Sequence, residues 1–210
     1  MGQVLNKAYY QNPDILFLAK DLLGKTLHTQ FQGQHTFGKI VETEAYKAPE
    51  DRGSHAFQNK RTNRTEIMFS EGGLAYVYLC YGIHSMVNVV SGPKESAHAI
   101  LIRAIEPMHN INLMKQRVVT NKKDILLASG PGNVCKAMGI MTKHNGLKLY
   151  DKSNIWIEDH HEQISEKDII MSPRVGIAYA NEWAHKPWRF YIKNHLAVSK
   201  PRIVNYDKPK

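Results

Sequence analysis

Apolar positions recur along the chain with two different periods, and the change of period marks its elements. After Asn12-Pro13, apolar residues fall at Ile15, Leu16, Ala19, Leu22 and Leu23. That is the spacing of an amphipathic helix, with Asn12 as N-cap, Pro13 at the first helical position and Gly24 as the stop. The period then shortens. Two strands are predicted over about Lys25–Phe31 and Thr36–Thr43, joined by Gln32-Gly33-Gln34. Polar residues with Pro49, Gly53, Asn59 and Asn63 make Lys47–Thr65 a long loop, and ordered loops of that length often carry function.

Strand character returns at Leu74–Leu79, Ser85–Ser91 and Ala97–Ala104. Pro107 is predicted to open a helix bearing Ile111, Met114 and Val118. Ser129-Gly130-Pro131-Gly132 is predicted to open another, running through Met138 and ended by Gly139. Short strands are expected at Leu147–Tyr150, Ile155–Glu158, Arg174–Tyr179 and Arg189–Ile192. Internal repeats and linkers are absent from this pattern. The prediction is one mixed α/β (α+β) domain over 1–210, its strands joined mostly as hairpins and its helices packed outside.

Composition narrows the class. A chain of 210 residues can bury a full core without disulfides or metal. Cys80 and Cys135 each lie in an apolar run without a Cys-x-x-Cys motif, which favours a reduced intracellular protein over one with a single disulfide. A leader and a membrane-length apolar segment are both missing, and Asn6 stands where N-myristoylation needs Ser or Thr. The expected location is therefore cytoplasmic, with no membrane partner. Lys plus Arg number 28 against 19 Asp plus Glu, a net charge of +9. This excess suits a polyanionic partner but also plain solubility. Basic residues alternating with aromatics from Trp183 to Tyr191, and Lys200, Arg202, Lys208 and Lys210 near the end, favour the polyanion.

Candidate chemistry concentrates between Val41 and Arg103. Glu42 and Glu44 lie two apart and project to one face of a continuing strand. Glu44, at the mouth of an apolar strand, has the setting of a general base, although spacing alone favours a solvated strand end or a salt-bridge partner. Tyr76 and Tyr78 share a strand face, and Tyr81-Gly82 sits at the turn beyond, where an aromatic ring can wedge between stacked bases. Tyr46 and His55 flank the same mouth. Arg103, inside an apolar strand, requires a carboxylate, with Glu44 or Glu106 as candidates. Arg174-Val175-Gly176 places a second arginine before a glycine that permits close backbone approach. Neither His-x-x-x-His nor His-Glu-x-x-His occurs among the 11 histidines, so no metal or cofactor is expected. Rings around a carboxylate in a basic chain indicate a nucleobase pocket.

At these residues the chain resembles the alkyladenine (3-methyladenine) DNA glycosylase family. The likeness rests on Val41–Tyr46, Tyr76-Val77-Tyr78 with Tyr81-Gly82, Ile102-Arg103-Ala104 with Glu106-Pro107, Ser129-Gly130-Pro131, and Arg174-Val175-Gly176 with Glu182-Trp183-Ala184, in family order over nearly the whole chain. It implies a compact domain with a curved antiparallel sheet and flanking helices. It implies Glu44 as the base that activates water, with Arg103 and the Val175 backbone holding that water. Tyr46, His55 and Tyr78 would sandwich the flipped base, while Asn88 would exclude guanine and Leu101 would line the pocket. Tyr81 would enter the minor groove, with Ile83 beside it at the tip. The implied protein is a monomeric, monofunctional repair enzyme of the prokaryotic cytoplasm, acting at the nucleoid on double-stranded DNA with damaged purines. Its expected substrates are 3-methyladenine and 7-methylguanine, and less readily hypoxanthine and ethenoadenine. Asp51-Arg52-Gly53-Ser54 and Gly82-Ile83-His84-Ser85 depart from the mammalian members and mark where substrate range would differ. Two other readings remain at this point: a non-catalytic nucleic-acid-binding module, and a metal-dependent nuclease built on Glu42, Glu44 and Asp51.

Overall fold

The computed structural model describes residues 2–202; Lys208 and Lys210 of the basic C-terminal group lie outside the described residues. The described chain folds as a mixed α+β domain around one antiparallel sheet. Its long strand β3 (Gln34–Lys47) pairs along one side with β6 (His98–His109), which continues to β5 (His84–Ser91) and β4 (Ala75–Cys80). On its other side two partners succeed one another. The first half of β3 pairs with β2 (Thr26–Phe31), followed outward by β7 (Ile155–Asp159) and the short β1 (Gln3–Val4). Glu42–Glu44 pair instead with β9 (Arg189–Ile192), which carries β8 (Ile169–Ser172). These three residues are therefore flanked on both sides, which is why two carboxylates there are completely buried.

The core lies between the sheet and its helices α2 (Ile15–Asp21) and α4 (Pro131–Met138), where Leu18, Ala19, Val134 and Met138 meet Ile40, Ile100 and Ile102. Burying each large aliphatic chain contributes about 1.5–3 kcal/mol relative to leaving it in water. Two further helices, α1 (Lys7–Tyr10) and α3 (Ile111–Val118), complete the described set of α-helices. The opening of α4 at Gly130-Pro131 and its left-handed stop at Gly139 (φ +69°) follow the predicted pattern. Both cysteines are free thiols.

Several expectations are corrected. The N-cap of α2 is Asp14, whose Oδ1 accepts from the backbone N–H of Leu16 and Phe17 at 3.0 Å, while Asn12 caps Asp14 itself. Pro107 lies inside β6 and opens no helix. It is tolerated there because the register between β3 and β6 slips at Phe37/Gly38, relieving Pro107 of a ladder bond it cannot donate. The helix starts later, at Ile111, after Asn110 turns in the left-handed region. Leu147–Tyr150 forms only one bridge, Lys148 to Leu74, too little for a strand. Arg174–Tyr179 is irregular, broken by Gly176 at φ +80°, and β8 precedes it instead.

Candidate active site

Strand β3 delivers Glu44 beneath a cavity of about 450 Å³, whose walls β4, β5 and β6 raise. The residue is fully buried, and its two oxygens are engaged by three different elements. Oε1 accepts the Val175 N–H at 2.8 Å, and Oε2 accepts the Tyr46 hydroxyl at 2.7 Å with Arg103 Nη1 at 3.3 Å. Burial, then the Glu44 charge and hydrogen bond, hold Tyr46 far above its ordinary pKa, so its hydroxyl remains a donor. Burial alone would weaken the Arg103 cation, but Glu44 and Glu42 together raise its pKa and keep it charged.

Arg103 has Glu42 as its nearest partner, with Nε 2.7 Å from Oε1, and Glu44 as its second; Glu106 pairs with His195 instead. Glu42 is a hub. Its carboxylate also accepts from Arg189 Nε at 2.7 Å and from the Ser199 N–H at 2.7 Å and Oγ at 2.9 Å. Arg189 is therefore interior, with 1% exposure, and the alternating segment Trp183–Tyr191 is divided, its end Arg189–Tyr191 buried while His185 and Lys186 are exposed.

The long loop is tied down by a buried ion pair. Arg174 Nη2 donates to Asp51 Oδ1 at 2.8 Å and Nη1 to the Ala45 carbonyl at 2.9 Å, while Asp51 Oδ1 also accepts the Gly53 N–H at 2.8 Å. The guanidinium lies between the rings of Tyr46 (4.7 Å) and Trp188 (5.2 Å). That anchor sets His55, whose Nδ1 is 2.8 Å from the Tyr76 hydroxyl and whose ring meets Tyr78 edge-on at 4.6 Å. Tyr76 and Tyr78 stack at 5.3 Å, as expected for residues sharing a strand face. Burial, and then the charge of Arg64, push His55 down to about 4, leaving a neutral imidazole at the wall.

Tyr46, His55, Tyr78, Tyr81, Asn88, Leu101, Arg103 and Val175 all border this one cavity. Asn88 is fixed by its Nδ2 donating to the Tyr76 carbonyl at 3.0 Å. Glu44 itself does not border the cavity; its three partners do, and they separate it from the opening. Tyr81 stands at the β4–β5 tip with φ +50° and 86% exposure, followed by Gly82 at φ +73° and closed by Ile83 N–H donating to the Cys80 carbonyl. A tyrosine held in the left-handed region is strained, and such strain persists chiefly where function needs the residue displayed. Ile83, also exposed, faces a neighbouring hollow beside α4 rather than this cavity.

Sequence reasoning did not single out Arg64, Met68 and Tyr179, which also border the cavity, nor Tyr76 as the partner of His55. Arg64 and Met68 come from the polar loop and its end, and Tyr179 from a segment read as a strand. The path of the loop brings in Arg64 and Met68, and the irregular segment after Gly176 brings in Tyr179. The acids of the nuclease reading are spent on arginines: Glu42 on Arg103 and Arg189, Glu44 on Arg103, Asp51 on Arg174. None of the three joins a potential metal-ligating group among the described residues.

The chain matches known proteins along most of its length. The family model described as methylpurine-DNA glycosylase (MPG) matches residues 8–196. A protein of Chlamydia felis is 43% identical over 90% of this chain and 96% of its own length. One from Clostridium botulinum is 42% identical over 94% and 99%, and one from Bacillus cereus 43% identical over 92% and 97%. Each is named "Putative 3-methyladenine DNA glycosylase". The ring-walled cavity, the buried glutamate beneath it and the match along most of the chain lead to one conclusion: the protein is a DNA repair enzyme that belongs to the methylpurine-DNA glycosylase family.

Proposed function

We propose that the enzyme flips alkylated purines out of duplex DNA into the cavity and hydrolyses their N-glycosidic bond with a water activated by Glu44. The observation that carries this reading is Glu44 beneath the cavity, held by Val175, Tyr46 and Arg103. In the step, the water oxygen attacks C1′ of the deoxyribose and its proton passes to Glu44. The bond to the purine nitrogen breaks and its electron pair leaves with the base, so an abasic site remains. With water as nucleophile the strand itself is not cut. The Glu44 carboxylate also opposes the positive charge that develops on the sugar.

Flipping costs a few kcal/mol, least for a damaged base, and stacking on rings returns about 1–3 kcal/mol per base. Tyr46, His55 and Tyr78 supply those rings, and Tyr81 fills the gap left in the helix. Asn88, rigid at the wall, disfavours guanine through its exocyclic amine, a cost that 7-methylguanine shares and 3-methyladenine does not.

The wall also argues for lesion preference. A neutral purine leaves well only if an acid protonates it, whereas 3-methyladenine and 7-methylguanine are already cationic in the nucleotide. Among the described residues His55 is the one imidazole bordering the cavity, and burial followed by Arg64 holds it neutral at working pH. Burial also raises the Tyr76 and Tyr78 hydroxyls, and Tyr46 is raised further by Glu44, so none is an effective acid. Neutral electron-rich rings hold a cation by cation–π attraction. Cationic lesions are therefore preferred over hypoxanthine and ethenoadenine.

The test is to incubate methylated duplex DNA with the protein in EDTA and to assay free 3-methyladenine and strand breaks separately. Base release with intact strands is the expected result. Strand cleavage that EDTA abolishes would support the nuclease reading instead, and binding without release the non-catalytic one.

A further inference from the structure

A second cluster of polar side chains lies on the β7–β2 part of the sheet, bordering none of the cavity above. The register pairs Thr26 with Glu158 and His28 with Trp156, so these four side chains project from one face. His160, just past the end of β7, returns toward them. Glu158 Oε2 is 3.8 Å from His28 Nε2 and 3.8 Å from His160 Nε2, and the three atoms lie within 4.8 Å of one another. The Thr26 hydroxyl sits between the two imidazoles, 2.7 Å and 3.1 Å from the same nitrogens.

The opposite polar atoms of two of these groups are already engaged. His28 Nδ1 meets His35 Nε2 at 3.1 Å, and Glu158 Oε1 takes Trp156 Nε1 at 2.9 Å and Lys152 Nζ at 2.8 Å. The His28 ring is clamped between Phe37 at 4.7 Å and Trp156 at 5.1 Å. Outer partners of this kind orient metal ligands and fix which nitrogen faces the ion. The N-terminal segment closes one side, since a Cβ added to Gly2 would stand 2.6 Å from His160 Cε1 and 2.8 Å from Glu158 Oε2. His28 and Glu158 are buried while the His160 side chain is 42% exposed, which leaves an approach from solvent.

We propose that His28, Glu158 and His160 bind a divalent transition-metal ion of the zinc class, with water or the Thr26 hydroxyl in the fourth position. Two imidazoles and one carboxylate suit zinc rather than magnesium or calcium. Tetrahedral bonds to zinc place neighbouring donors roughly 3.3 Å apart, so the two 3.8 Å spacings to Glu158 close by a few tenths of an ångström. The two imidazoles, within 4.8 Å of each other, close by movement of the half-exposed His160 ring. The ion would lock β7 to β2 and hold β1, which pairs with β7 at Glu158.

The test uses the full chain stripped with EDTA and dialysed against zinc alone, then against cobalt for its visible absorption. One equivalent should bind, the cobalt spectrum should be tetrahedral, and the metal should raise the unfolding temperature. His160→Ala, an exposed position that preserves the fold, and Glu158→Gln should each lower affinity at least about tenfold. No zinc uptake by the wild-type chain at micromolar concentration would overturn the proposal. So would equal uptake by wild type and both variants; the cluster would then be only a hydrogen-bond network closed by Thr26. Because base release is assayed in EDTA, its outcome is independent of this one.

Discussion

Two glutamates two residues apart, both without solvent contact, have different fates because their partners differ. Glu42 accepts only from groups locked in the interior, Arg103, Arg189 and Ser199. Removing one partner of a buried charge network leaves the others uncompensated, at about 3–5 kcal/mol. Glu42→Ala is therefore expected to lower the urea unfolding free energy by that amount. Glu44→Gln keeps the shape and leaves Arg103 paired to Glu42, so its stability should change much less in the same measurement. His55 carries a pH signature. Burial, then the charge of Arg64, push its pKa from 6.5 to about 4. Between those values the unfolded chain takes up a proton that the folded state refuses, so stability falls as pH drops from 6.5 toward 4. His98 and His144, lowered mainly by burial, act in the same direction. His55→Gln should consequently show a smaller loss of urea midpoint between pH 7 and pH 5 than the wild type.

Among the elements, the β4–β5 hairpin and the loop 47–65 are the parts that the proposed function assigns to DNA and base. The tip is held by its own turn and presses on nothing, since Tyr81 is 86% exposed. Tyr81→Ala should leave the unfolding midpoint unchanged while weakening binding to a lesion duplex by about 1–3 kcal/mol, the worth of one stacked ring. Unchanged binding would remove the wedge role. The loop depends on Asp51 and Arg174. Asp51→Ala should cost about 3–5 kcal/mol of stability and also release His55 from the wall, lowering affinity for the flipped base. Helices α2 and α4 and the longer strands were legible in the chain, from the helical spacing of Ile15–Leu23 and the apolar run Ala97–Ala104, while the four-residue α1 was too short to show a period. The misses have local causes. Pro107 reads as a helix opener unless the slip in the β3–β6 pairing is known, and four residues of β8 are too few to show a period.

At the scale of the molecule, charge and connectivity decide what the site can do. The excess of +9 remains for the surface after Arg103, Arg174 and Arg189 are consumed by buried carboxylates. Binding to undamaged duplex should weaken on the order of 10–100-fold between 50 and 200 mM salt, as phosphate neutralisation releases counterions. Tyr46, Tyr78 and Arg103 could be named from the chain because they lie on β3, β4 and β6, whose pairing follows their hydrophobic pattern, whereas Asn88 and Leu101 could be named only through the family resemblance. The supports were less accessible: Ser199, which reaches Glu42 across 157 positions, could not be named, and Val175, which reaches Glu44 across 131, only through the family resemblance. Those supports leave Glu44 aimed from below the cavity, and its role is the centre of the account. The most direct measurement is single-turnover release of 3-methyladenine from a defined duplex by wild type and Glu44→Gln, with binding followed in parallel. Release slowed by about 10²–10⁴-fold with lesion binding retained is the predicted result. Release at the wild-type rate by Glu44→Gln would contradict it.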